Sequence, residues 1–132
     1  MSYAAAAALQ GAIFARLQAH PGLVGVPVVD AMPPGSGAGL FVLIGPEEVR
    51  EASDKSGAGA EHRLVISVIS DAAGFAQAKT AAVAVAEALD GVPPSLPMGR
   101  VVSLGFAKAV ARRLDDGAAR RIDLTFRARI EF

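Results

Sequence analysis

The sequence predicts an α+β fold: a mainly antiparallel sheet with two helices packed on it and a long C-terminal β-hairpin. Three observations carry that prediction. Two alanine-rich segments repeat apolar residues every three or four positions, as helices that bury one face do. Between them, two apolar runs of strand length flank a stretch of Ala, Gly and Ser without periodicity. Near the C-terminus, residues 100–114 and 119–132 have strand character and are joined by Asp115-Asp116-Gly117. That tripeptide suits a three-residue hairpin loop, whose last position takes a glycine at positive φ.

The first helix is expected over residues 2–19. Ala4 to Ala8 are strong helix formers, and Leu9, Ile13 and Leu17 recur along one face. A secretory signal would place basic residues ahead of its apolar stretch, but the first basic residue is Arg16, after it. An amphipathic helix is therefore the expectation. His20-Pro21-Gly22 stops it, because a residue before proline avoids the helical region. Val26 to Val29 reads as a short edge strand, since Pro27 cannot donate to a central ladder. Residues 32–39 read as a loop by composition.

Residues 40–51 and 61–70 read as a β-hairpin with a mobile tip at 52–60. Leu40 to Ile44 is a continuous apolar run, Pro46 interrupts it, and residues 47–51 continue as a more exposed segment. In the second arm, Leu64, Ile66 and Val68 point one way and Val65 and Ile69 the other, as in an interior strand. The second helix is expected over 72–89, where Phe75, Ala78, Ala82, Val85 and Leu89 form one stripe. Gly91, Pro93 and Pro94 end it. In the C-terminal hairpin, a three-residue loop sets Val102 opposite Ile130, Leu104 opposite Ala128, Phe106 opposite Phe126 and Val110 opposite Ile122. One face is then apolar and the other polar. A two- or four-residue loop mixes the faces. Lys108 is the exception: it falls among apolar residues unless it snorkels or a bulge turns it out. The hairpin is expected to outrun the sheet, with Arg112, Arg113, Arg120 and Arg121 crowded around Asp115 and Asp116.

The chain has 132 residues, which suits a single domain over 1–132. Thirteen basic and thirteen acidic side chains cancel, which argues against a sequence-independent grip on nucleic acid. The absence of cysteine excludes a disulfide framework and a thiolate metal site. No apolar run reaches the ~18 residues of a membrane span, and 28 alanines account for much of the 52% hydrophobic fraction. These points suggest a compact cytoplasmic domain.

Catalytic chemistry finds little support. His20 sits in a helix stop, and His62 lies beside Glu61 and Arg63 without the partners that a metal or acid–base site requires. The glycines at 35–39 and 57–59 lack the Walker spacing and do not join a strand directly to a helix. No serine sits in a nucleophile elbow. No cofactor is expected. The charged residues are more informative. Residues 99–132 hold eight basic side chains against four acidic ones, whereas the first 60 residues hold three basic against five acidic. The basic stretch fits a solvated strand face, a nucleic-acid face or a subunit interface, but it lacks interleaved aromatics for base stacking. Arginine favours interfaces through planar, bidentate pairing. The expected contact between copies is therefore head-to-tail. Acids such as Glu47, Glu48 and Glu51 would meet the arginines, and the interface candidates are Glu47, Glu48, Arg50, Glu51, Asp54, Lys55, Arg112, Arg113, Arg120, Arg121, Arg127 and Arg129.

An ordered set of stretches spans nearly the whole chain. It comprises residues 9–17 (Leu-Gln-Gly-Ala-Ile-Phe-Ala-Arg-Leu), Val29-Asp30-Ala31-Met32-Pro33-Pro34, residues 41–45, and Glu48-Val49-Arg50. It continues with Gly59-Ala60-Glu61-His62-Arg63-Leu64, the second helix through Ala88-Leu89, and Leu124-Thr125-Phe126-Arg127-Ala128. Together these resemble the phage tail-terminator family, also called tail-completion or head–tail joining proteins, as found in prophages and phage-like gene transfer agents. The proline-rich 92–97 segment departs from the pattern. The resemblance implies a structural virion protein without enzymatic activity. Such a protein forms a ring, typically of six copies, that caps the head-proximal end of the tail tube and meets a neck or stopper protein. DNA crosses its lumen in transit, no membrane is involved, and assembly precedes incorporation into the particle. The mobile tip at 52–60 would order against the tube. The alternatives are another neck ring component such as a stopper, and a small ligand-binding or enzymatic α+β domain.

Overall fold

The computed structural model describes residues 3–33, 39–114 and 117–132. Its elements follow the expected order: α1 (Ala6–Ala19), a 3-10 turn (Pro21–Leu23), β1 (Val28–Val29), β2 (Phe41–Glu51), β3 (Gly59–Ser70), α2 (Ala76–Ala88), β4 (Arg100–Leu114) and β5 (Ala119–Glu131). The described strands form one sheet in the order β1-β2-β3-β5-β4, antiparallel except for the β1–β2 pair. This is the α+β architecture predicted from the sequence.

Both helices contribute to one hydrophobic core with the inward residues of the sheet. Leu9, Ile13 and Leu17 of α1 and Ala78, Ala82 and Val85 of α2 are buried against Val42, Ile66, Val68, Leu124 and Phe126. The alanines of α2 let the neighbouring chain come close: a Cβ built on Gly22 would lie 2.9 Å from the Ala84 Cβ. α2 begins at Ala76 rather than 72, because the preceding residues form a polar turn. There Ser70 Oγ accepts from the Ala72 N–H and donates to Gln77. On the other face of the sheet, Phe41, Leu43 and Ile69 form a small second cluster with Val29. β1 is an edge strand, as Pro27 requires, and pairs with β2 only at Val42 and Leu43.

The C-terminal hairpin departs from the expected register in an informative way. Leu104 pairs with Ala128 and Phe106 with Phe126, as read from the sequence, and Gly117 has a φ of 94°. Register shifts then occur between Val101 and Ser103 and between Phe106 and Lys108, so that Ile130 pairs with Val101 instead of Val102, and Ile122 with Ala111 instead of Val110. The second shift turns Lys108 outward to pair with Thr125, so that Ala109 and Ala111 meet Leu124 and Ile122. The closing pair is Leu114–Ala119, which makes the loop four residues long rather than three. A bulge absorbs the extra residue that the loop introduces. Asp115 and Asp116 lie outside the described residues. The hairpin does not outrun the sheet, since β3 pairs with β5 from Ser70–Arg120 to Gly59–Glu131.

The first hairpin is also tighter than its composition suggests. β3 begins at Gly59, and the Asp54 and Gly57 backbones bond to each other in both directions around a two-residue turn. The Asp54 carboxylate accepts from both the backbone N–H and the hydroxyl of Ser56, at 2.8 and 2.6 Å. Ala52 donates to the Gly59 carbonyl, and Phe132 to that of Ala58. The segment read as a mobile loop is thus a hydrogen-bonded continuation of the hairpin, with Asp54 as an Asx-type turn former.

Candidate functional site

The sheet has two unlike faces. α1 and α2 cover the inner face over its central strands, and charged side chains cover the outer face. Strand registry sets these outward side chains in rows. Glu48, Arg63, Arg127 and Gly105 lie in one row, and Arg50, Glu61, Arg129 and Ser103 in the next. Arg63 and Arg127 are direct cross-strand neighbours, and neither forms an ion pair among the described residues. Like charges placed directly opposite weaken a strand pair.

The residues read as interface candidates separate into different roles. Arg50 pairs with Glu48 at 2.7 Å, and Ser53 donates to Glu51. Glu47 turns to the helix side, where its carboxylate meets Nδ1 of His62 at 3.1 Å. His62 is fully buried and its Nε2 has no partner. Arg129 reaches back to Asp54 at 3.5 Å and Glu131 at 3.6 Å, so an acidic and a basic candidate meet within one chain. Lys55 stays exposed at the turn. At the far end of the sheet, Arg121 and Ser67 both donate to Oδ1 of Asp123, at 2.7 and 2.6 Å, with Arg112 at 3.5 Å from Oδ2. Arg120 is buried and donates to the carbonyls of Ala73 and Gly117. Arg113, Arg120 and Lys79 all approach the Phe75 ring within 6 Å. The basic candidates therefore do not form one patch. Arg127 and Arg129 lie at the end of the sheet that carries residues 47–51, and Arg112, Arg113, Arg120 and Arg121 at the opposite end.

Among the described residues, two carboxylates are held below their ordinary range. Burial works to raise Asp123, but hydrogen bonds from Ser67 and Arg121 and the Arg121 and Arg112 charges outweigh it. Asp54 is lowered chiefly by the Ser56 hydroxyl and then by the Ser56 N–H. His20 is more than a solvated helix stop. Its Nδ1 accepts from the Gly22 N–H at 2.9 Å, and its Nε2 lies 3.5 Å from Glu87 of α2.

The edge of the sheet carries what the sequence pattern did not show. Leu104 is buried as expected, but Phe106 is 56% exposed and Val102 and Val110 are also open. Neither helix extends over β4 at Phe106, whereas Val102 lies at the first register shift and Val110 pairs with Asp123 on the outer face, which the helices do not cover. An apolar bay of about 410 Å³ remains between Val83 and Ala86 of α2 and Phe106, Ala109 and Ala111 of β4. A second open concavity lies at the opposite edge, between Phe14 of α1 and Val28, Val29 and Ile44. His62 lines neither. Among the described residues no cluster of three His, Cys, Asp or Glu could hold a metal ion. No described helix is long and apolar enough to cross a membrane.

The chain is similar to a chain in the solved structure of the virion of a native gene transfer agent particle, at 56% identity and a TM-score of 0.89. The alignment covers 99% of this chain and 100% of that one. No curated protein matches. The profile of the tail completion protein gp17 family matches residues 11–131. The chain belongs to the tail completion protein gp17 family.

Proposed function

We propose that this protein is a structural component of a phage-like particle that forms a ring, typically of six copies, and terminates the tail. The ring caps the head-proximal end of the tail tube and joins it to the neck or stopper protein, with DNA crossing its lumen in transit. Subunits assemble in the cytoplasm before entering the particle, and the protein is not an enzyme. The observation that carries this reading is the full-length similarity to a chain of a gene transfer agent virion, supported by family membership. A closed ring needs heterologous interfaces, in which two different surfaces of each subunit meet. The unlike edges of this sheet supply two such surfaces.

The interface draws on the charged residues that still point outward: Glu48, Arg50 and Lys55 at one end, and Arg112, Arg113 and Arg127 elsewhere on the sheet. Arg120, Arg121, Glu47 and Asp123 act within the subunit. A deletion strain tests the function. It is expected to yield heads without attached tails, or tails of uncontrolled length, in electron micrographs. Normal particles from that strain would refute the role. Cryo-electron microscopy of intact particles distinguishes a ring on the tube from a stopper ring beside it.

A further inference from the structure

We infer that the free edge of β4 receives the uncovered half of β2, residues 47–51, from a second copy of the chain. That copy's α1 flank then enters the bay between α2 and β4. This inference rests on the ring reading above and identifies the seam by which one copy meets the next.

β4 ends the sheet, so one side of its backbone has no strand partner among the described residues. A long edge strand with exposed apolar side chains is a template for pairing with another chain. β4 is 15 residues long and exposes Val102, Phe106 and Val110. At the other end of the sheet, β1 covers β2 only at Val42 and Leu43, so the outer edge of residues 47–51 is bare among the described residues. The directions also fit. Strands alternate from β2 through β3 and β5 to β4, so β4 runs opposite to β2. Adding the next copy's β2 outside β4 continues an antiparallel ladder.

Charge selects this pairing over a two-fold one. β4 carries Arg100, Lys108, Arg112 and Arg113 and no acidic residue. Two β4 edges brought together would oppose like charges, which is unfavourable across a strand pair. Residues 47–51 read Glu-Glu-Val-Arg-Glu, and with Glu47 turned to His62 they still offer two acids, Glu48 and Glu51, against one base. The complementary contact is therefore β4 to β2, which is heterologous and able to close a ring. The helix layer agrees. α1 flanks β1 and β2 and leaves Phe14 partly exposed beside that edge, while the α2–β4 edge has an open apolar bay. Continuing the sheet brings the incoming α1 to that bay.

The chain has no cysteine, so engineered pairs report without background. Arg50 and Gly105 are exposed on the same sheet face, and a Cβ at Gly105 meets nothing within 4 Å. In particles carrying Arg50→Cys and Gly105→Cys together, a short bismaleimide is expected to give a ladder of covalent multimers. Each single variant should remain monomeric on a denaturing gel. A covalent dimer from Gly105→Cys alone means that two β4 edges meet, which overturns the seam. Particles that contain the protein but give no ladder also overturn it, while leaving the ring reading intact. Absence of the native protein from particles overturns the ring reading and the seam with it. A second measurement avoids cysteine. Lys108→Glu is expected to weaken assembly of the purified protein by roughly tenfold, and adding Glu48→Lys should restore it. Weakened assembly with no restoration counts against the seam.

Discussion

The guanidinium of Arg120 lies over the ring of Phe75, 5.5 Å from its centroid, and donates to the Ala73 carbonyl. This contact fastens the start of β5 to the segment that leads into α2. The residue was a candidate for contact between copies, but its burial makes it a clamp within the subunit.

Arg120→Met removes a charged donor from the backbone carbonyls of Ala73, Gly117 and Ala119 and is expected to destabilise the protein by about 2 kcal/mol. Urea unfolding measures this. In a double-mutant cycle with Phe75→Leu, a coupling of about 1 kcal/mol is expected. Additive losses would show that the ring contact is energetically inert.

The Asp123 cluster predicts acid sensitivity. Its carboxyl is held below the ordinary value of 3.8, so its folded pKa lies below its unfolded one. Such a group contributes stability above the unfolded pKa and loses it as pH falls through the folded value. Urea midpoints should therefore drop below about pH 4. Asp123→Asn should lower stability at neutral pH and reduce that slope. An unchanged slope would assign the acid sensitivity to other carboxyls.

Gly117 holds a φ of 94°, a region that side chains rarely adopt. Gly117→Val should cost about 1–3 kcal/mol, because a β-branched residue is strained there. Thermal unfolding reports the loss, and an unshifted melting temperature would mean that the loop relaxes to another turn.

Gly22 packs tightly against α2. A methyl group there would meet the Ala84 Cβ at 2.9 Å and the His20 ring at 3.1 Å. Gly22→Ala should destabilise by about 1–3 kcal/mol through overpacking. Adding Ala84→Gly should recover part of that loss, once the mild helix cost of glycine is allowed for.

Strong periodicity was legible. The Leu9, Ile13 and Leu17 stripe, the interior position of β3 and the edge position of β1 follow from spacing and from Pro27. The loops were harder to read. The 52–60 segment has no periodicity, yet Asp54 organises it through hydrogen bonds to Ser56, because a short polar side chain can replace a backbone partner. In the C-terminal hairpin, Lys108 signalled a bulge among apolar residues. The loop length could not be read separately, since one extra loop residue and one bulge cancel in the pattern. The candidate interface was legible as charge but not as partners: Arg129 with Asp54 and Arg121 with Asp123 are neighbours only after strands from distant segments pair.

Local chemistry alone therefore determined the α+β class, the order of elements, the stripe of each helix and the glycine at the hairpin turn. Each depends on the covalent preferences of a few adjacent residues. Tertiary structure decided which arginines remain outward, which strand edges stay unpaired, and that Phe106 lies beyond the cover of both helices. A two-residue period states that alternate side chains share a face. Whether another layer covers that face depends on where the helices end, and only the packed chain sets that.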